Sequence, residues 1–281
     1  MRDADTASQG PDAARPDAAR PDAARPDIAG PDLLGGGVPA GFSLTGTAVP
    51  TRLEALLQQG RDYACTHPES AGSGGWWNQR PTTMPPRMTP AGMENARRAA
   101  VLMLFCAPTP DDDDAHLLLT ERSPGLKKHP GQISFPGGAQ EKFDRDPTAA
   151  ALREAQEEVG LDPARVRVLG SLPPAPVPIS GFMVTPVIGI AGHTGLLRPQ
   201  SGEVERVLPV RLDALIRPEN RRTTVLHRSG TVFKAPAFLV DGTLIWGFTG
   251  ILVDRVLNRL GWEEPWDAGR SVDPQDYLPG L

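Results

Sequence analysis

Between residues 151 and 161 the chain reads ALREAQEEVGL, which sets Glu154, Glu157 and Glu158 three and four positions apart directly behind Arg153. At helical periodicity those spacings gather the three acids on one face. Like charges four positions apart cost an isolated helix roughly 0.2–0.5 kcal/mol per pair, so the cluster works against its own helix unless a cation sits among the oxygens. A hard divalent ion such as Mg²⁺ takes carboxylate oxygens and bridges to substrate phosphates. The chemistry expected from these residues is metal-dependent attack on a phosphate ester or anhydride. Upstream, Phe135-Pro136-Gly137-Gly138 supplies a glycine pair where backbone can come close to such a ligand.

The elements that must position these groups follow from periodicity. Thr148–Val159 reads as a helix stopped by Gly160, a residue suited to a helix C-terminus. Ala99–Cys106 and His116–Arg122 read as strands, and the acidic run Asp111–Asp114 between them reads as a solvated hairpin tip. Gly131–Phe135 is a short extended piece leading into the glycine turn. Further strands are expected over Arg165–Gly170, Met183–Ile190, Val204–Val210, Thr223–His227, Val232–Lys234 and Thr243–Trp246, with a proline-rich loop over Pro173–Pro178. Leu212–Ile216 reads as a short helix, and Phe248–Leu260 carries a helical apolar period. Strands around one central helix, closed by another, predict an α+β protein with a mixed sheet between helices.

Outside this region the composition changes. Residues 1–47 are dominated by PDAAR repeats that balance Asp against Arg and carry a proline each, so they read as a disordered tail. Residues 48–93 form an N-terminal extension: an amphipathic helix over Pro50–Gln59, then a Gly/Pro/Thr-rich loop whose Trp76 and Trp77 are expected to cap one edge of the core. The catalytic domain is assigned to 94–262, and 263–281 reads as a polar C-terminal tail. A net charge of −5 offers no general footprint for nucleic acid. The longest apolar stretch, Ala99–Ala107, is far below the roughly 20 residues of a membrane helix. Two cysteines, Cys65 and Cys106, suit a reducing compartment, and a cytoplasmic protein with no membrane partner is the expectation.

Taken as a pattern, Gly138 followed by Arg153-Glu154-x-x-Glu157-Glu158-x-Gly160-Leu161 resembles the Nudix box. That pattern is Gly, five residues, Glu, seven residues, then Arg-Glu-apolar-x-Glu-Glu-x-Gly-apolar. Its second half is matched at every fixed position, with Ala155 at the apolar site; the stretch from Gly138 to Arg153 is one residue longer, and Arg145 stands eight before Arg153 where the family has Glu. Asp144, Asp146 or Glu141 must supply the early carboxylate, and Asp144 keeps the usual distance from Gly138. A second motif precedes the box: Leu118-Leu119-Thr120-Glu121-Arg122-Ser123, then Lys127, Gly131 and Phe135-Pro136-Gly137-Gly138. It is similar to the signature of the coenzyme A pyrophosphatase branch at every spacing, with Lys127 in place of Arg, which keeps the charge and loses bidentate phosphate recognition. The likeness continues through Thr185-Pro186-Val187 and Ile245-Trp246-Gly247.

The resemblance implies a Nudix fold, an α/β/α sandwich, and hydrolysis of the diphosphate of coenzyme A or its thioesters. It implies that Glu154 and Glu158 hold Mg²⁺ or Mn²⁺, with Glu157 a further ligand or the general base, and that Arg153 orients a catalytic carboxylate. Arg122 and Lys127 would contact substrate phosphates, and Gly137 and Gly138 would bring backbone close to them. His129 is assigned to loop geometry. The partner implied is a small molecule, with a homodimer compatible with the family. Two rivals stand beside this reading: a diphosphatase for ADP-ribose, NADH or a dinucleoside polyphosphate, and a non-catalytic module that senses a nucleotide.

Overall fold

The computed structural model describes residues 48–67, 75–77, 96–106, 115–177, 180–228 and 231–278. The repeat-rich segment 1–47, Asp111–Asp114, and the 72–90 loop apart from 75–77 lie outside the described residues. In chain order the elements are helix α1 (Ala48–Thr66), strands β1 (Arg97–Cys106), β2 (His116–Arg122), β3 (Ile133–Ser134) and β4 (Gly137–Ala139), then helix α2 (Pro147–Val159). Strands β5 (Arg167–Ser171), β6 (Ala175–Val177), β7 (Phe182–Ala191) and β8 (Val204–Arg211) follow, with the short helix α3 (Leu212–Ile216). Strands β9 (Arg221–Arg228), β10 (Thr231–Val240) and β11 (Thr243–Ile245), helix α4 (Gly247–Arg259) and strand β12 (Ser271–Val272) complete the described chain.

The central sheet runs β3-β2-β1-β7-β5, with β4 beside β1, β6 beside β7 and β8 beside β2. It is mixed: β1 pairs with β7 in parallel from Arg97↔Phe182 to Cys106↔Ala191, and antiparallel with β2 and β4. Alternation along β1 and β2 sends side chains to two cores. On one face Leu102, Leu104 and Leu118 meet Ala150, Ala151, Ala155 and Val159 of α2. Three alanines against the sheet bring this helix close to it. On the other face Met103, Phe105, Leu117 and Leu119 pack with Leu53, Leu56 and Leu57 of α1, with Leu252, Val253, Val256 and Leu257 of α4, and with Trp76, Trp77 and Trp262. Helices therefore cover both faces of the sheet, the α+β sandwich expected. Among the described residues no helix is long and apolar enough to cross a membrane.

Three segments differ from their sequence reading. Within the proline-rich stretch 173–178, Ala175–Val177 forms β6, antiparallel to β7; Pro176 sits in a strand at the sheet margin, where its missing N–H is tolerated. Gly137 and Gly138 open β4, in register with Val101 and Ala100, rather than forming a free turn. The C-terminal stretch is folded through residue 278: β12 runs parallel to β9, in a second sheet ordered β11-β10-β9-β12. Its pairing is recorded in no local apolar period, because only two residues engage and backbone bonds carry them.

Candidate active site

Helix α2 has well-defined ends. Asp146 is its N-cap, accepting from Ala149 N–H at 2.8 Å, Pro147 opens the first turn, and Gly160 closes the last in the left-handed conformation (φ 68°). The following loop is tied to the same end: Gln200 N–H donates to Glu158 O at 2.7 Å, and Arg198 N–H to Val159 O at 2.9 Å. So fixed, α2 turns Arg153, Glu154, Glu157 and Glu158 toward β4 and the loop after it.

Arg153 is the hub. Its Nε and Nη2 donate to the two oxygens of Asp144 at 3.1 and 2.9 Å, its Nη1 to Glu154 at 2.9 Å and Glu157 at 3.0 Å, and its Nη2 also to Ala139 O at 3.1 Å. Asp144 additionally accepts from Glu141 N–H at 2.8 Å. Held chiefly by Arg153, the Asp144 carboxyl lies below its ordinary range. The three candidates for the early carboxylate thus do different things: Asp144 clamps the arginine, Asp146 caps the helix, and Glu141 lends its backbone N–H.

Glu158 occupies a different setting. It is 7% exposed, and one oxygen accepts from Gly137 N–H at 3.0 Å. Burial, foremost, pushes its pKa up to about 7; Glu154 and Glu203 push the same way, while the Gly137 N–H and the Arg122 charge oppose. Glu154 is also raised, first by burial and against the pull of Arg153. The two glycines are required by close approach. A Cβ on Gly137 (φ 153°) would stand 2.4 Å from Ala100 O, and one on Gly138 would stand 2.6 Å from the Glu154 carboxyl. The Gly-Gly pair lets backbone and carboxylate occupy space a side chain would take.

Arg122 follows an irregularity in the β2–β8 pairing between Glu121 and Arg122, and its charge acts on Glu158. Its Nε is buried without a hydrogen-bond partner. Lys127 stands exposed on the loop after β2 and is not brought to the carboxylates. Sequence reasoning missed Glu203, at the end of the loop that caps α2. It is exposed, yet its charge reaches both Glu154 and Glu158, and its carbonyl accepts from Ser123 N–H at 2.8 Å. Nothing in its local sequence marks it.

The donor set fits a hard divalent cation: acid oxygens on one helix face, one of them driven by burial to a pKa at which a cation's charge would be welcome. Among the described residues no three metal-capable side chains are drawn together into a metal site; Glu154 and Glu157 share Arg153 Nη1. One oxygen of each carboxylate bonds Arg153, which leaves the other for a cation.

Comparison with known proteins agrees with this architecture. A NUDIX domain model matches residues 96–227. An uncharacterized Nudix hydrolase, NudL, from Pectobacterium atrosepticum is 37% identical over 174 residues, which are 62% of this chain and 86% of that protein. A NudL from Klebsiella pneumoniae is 38% identical over 168 residues, 59% of this chain and 84% of its own. A solved Nudix hydrolase from M. smegmatis, RenU, overlaps 43% of this chain and 73% of its own at 27% identity and a TM-score of 0.36. With identity above a third over most of each NudL relative, and with helices on both faces of a mixed sheet, this chain belongs to the Nudix hydrolase family.

Proposed function

We propose that the protein hydrolyses the diphosphate of coenzyme A or its thioesters, giving adenosine 3′,5′-bisphosphate and 4′-phosphopantetheine or its acyl form. The observation that carries this reading is the run from Leu118 to Gly138, whose Arg122, Lys127, Gly131 and Gly137-Gly138 keep every spacing of the coenzyme A branch. The Arg122 charge beside the acidic helix, which acts on Glu158, supports it, because a guanidinium at that place suits a substrate phosphate.

Family members generally use a divalent ion, and Glu154, Glu157 and Glu158 are the residues proposed to hold Mg²⁺ or Mn²⁺ here. Bound there, the ion would neutralise charge on the diphosphate and lower the cost of forming hydroxide near neutral pH. The chain's own groups do the rest. Arg122 and Lys127 bind the anion, and Gly137 N–H holds Glu158 in its inward rotamer. Arg153, clamped by Asp144, orients Glu154 and Glu157, and either Glu157 or Glu203 takes the proton of the attacking water. One P–O bond forms from that water as the bridging P–O bond breaks, and the proton passes to the departing phosphate.

Mass spectrometry of the products from coenzyme A, ADP-ribose, NADH and a dinucleoside polyphosphate tests this. Coenzyme A is expected to turn over fastest with Mg²⁺ or Mn²⁺, and faster turnover of ADP-ribose would sink the substrate assignment. Glu158→Gln is expected to lower kcat by at least about a hundredfold while the protein stays folded. Undiminished hydrolysis by that variant would overturn the metal assignment.

A further inference from the structure

The C-terminal segment after residue 262 has no apolar period, yet the fold grips it at successive points. Trp266 lies over the Arg221 guanidinium, with its ring centre 4.8 Å away, and its Nε1–H donates to Glu263 at 3.0 Å. Thr223 N–H donates to Arg270 O at 2.9 Å, and Thr223 Oγ1–H to Ala268 O at 2.8 Å, which brings β12 alongside β9. Pro274 is then buried in a single turn, Pro274–Asp276, stabilised by the Asp273 carboxylate accepting from Gln275 N–H at 2.9 Å. This path delivers Tyr277 and Leu278 to the loop that follows β2.

At that loop Leu278 meets bare backbone. Its Cδ2 comes within 3.1 Å of where a Cβ would stand on Gly131, whose φ of +67° is itself suited to glycine. Gly131 closes the loop: its N–H donates to Arg122 O at 3.1 Å, while Arg122 N–H donates to Gln132 O at 3.0 Å. Leu278 therefore presses on the stem from which Arg122 projects and on which exposed Lys127 and Lys128 are carried. Beside the stem lies a half-open cleft of about 130 Å³, walled by Glu121, Ile133, Arg206, Leu244, Tyr277 and Leu278. With solvent-open space on that side, the stem relies on the Leu278 contact that borders it.

We infer that residues 271–278 form a positioning strap, in which Leu278 docked on Gly131 fixes the 123–132 loop and so places Arg122 and Lys127 for the anionic substrate. What the loop binds rests on the diphosphatase reading above; that the strap holds the loop does not. Leu278 is a positioning residue and touches no substrate.

Two readouts on the full chain separate these claims: the rate of tryptic cleavage after Lys127 or Lys128, and steady-state kinetics with coenzyme A. Leu278→Ala is expected to speed cleavage and raise KM by about fivefold or more, with kcat within about twofold and the melting temperature nearly unchanged. Leu278→Met is expected to restore both. Unchanged cleavage overturns the strap, as does faster cleavage only in step with a fall in melting temperature, the pattern of a merely structural contact. Faster cleavage with an unchanged KM overturns the link to substrate binding. If the wild type hydrolyses no diphosphate, the functional reading fails alone, and cleavage still decides the strap.

Discussion

Two arginines organise this molecule, and they do so in opposite ways. Arg153 lies at the protein surface, 19% exposed, with each nitrogen donating to a carboxylate and one also to a carbonyl. Arg221 is wholly buried, and only its Nη2 is paired, with Asp254 of α4 and with Glu263 at 3.3 Å. Its Nε and Nη1 have no hydrogen-bond partner, and its guanidinium lies 4.5 Å from the ring centre of Phe238 and 4.8 Å from that of Trp266. Burial works against charge on both members of this pair, lowering the Arg221 pKa and raising that of Asp254. Arg153 arranges acids that have work to do elsewhere, whereas Arg221 ties β9, α4 and the C-terminal segment into one body. Arg153 sets carboxylate positions through many bonds beside solvent, whereas the desolvated Arg221–Asp254 pair is costly to break.

This contrast meets its most severe test at Arg221. Arg221→Met leaves Asp254 buried without its partner, and urea unfolding should show a loss of about 3–5 kcal/mol. Adding Asp254→Leu should recover much of that loss, with activity per folded molecule little changed in either variant. Stability equal to wild type in the single variant would remove Arg221 from its structural role.

Arg153→Ala should act the other way round. The expected loss is about 10–100-fold in kcat with KM nearly constant, since the guanidinium orients carboxylates and does not bind substrate. Leaving the buried Asp144 carboxylate with only the Glu141 N–H should cost about 1–3 kcal/mol of stability. A rise in KM at constant kcat would make Arg153 a substrate contact instead.

A smaller, pH-dependent effect is expected at Asp144. Its folded pKa lies below the unfolded value, chiefly through Arg153. The ionised carboxylate therefore adds stability above an unfolded pKa of about 4, and this is lost as pH falls through the folded pKa. Asp144→Asn should lie about 1–2 kcal/mol below wild type at pH 7, with the gap shrinking in strong acid. A gap that persists unchanged in acid would show that shape, not charge, holds the clamp.

Much of the first arginine's surroundings is legible in the amino-acid sequence. Glu154, Glu157 and Glu158 announce a shared helix face by spacing, and Asp146, Pro147 and Gly160 announce the helix ends by residue type. Strands β1, β2 and β7 declare themselves by apolar runs that two cores require. Nothing comparable marks the second region. Arg221 and Asp254 are 33 positions apart, Trp266 sits in a polar stretch, and β12 is two residues long. Glu203 is hidden for the same reason: its role comes from the loop that carries it across the end of α2.

The family, the acidic helix and the glycine pair are written in the sequence, because each is specified by periodicity or by a side chain a few positions away. How the three early acids divide their work is a tertiary matter, as are the burial that lets Glu158 titrate near neutrality and the reach of the C-terminal segment to Gly131. Those outcomes depend on distances between residues far apart in the chain, and the free energy of a carboxylate is set by what surrounds it in space.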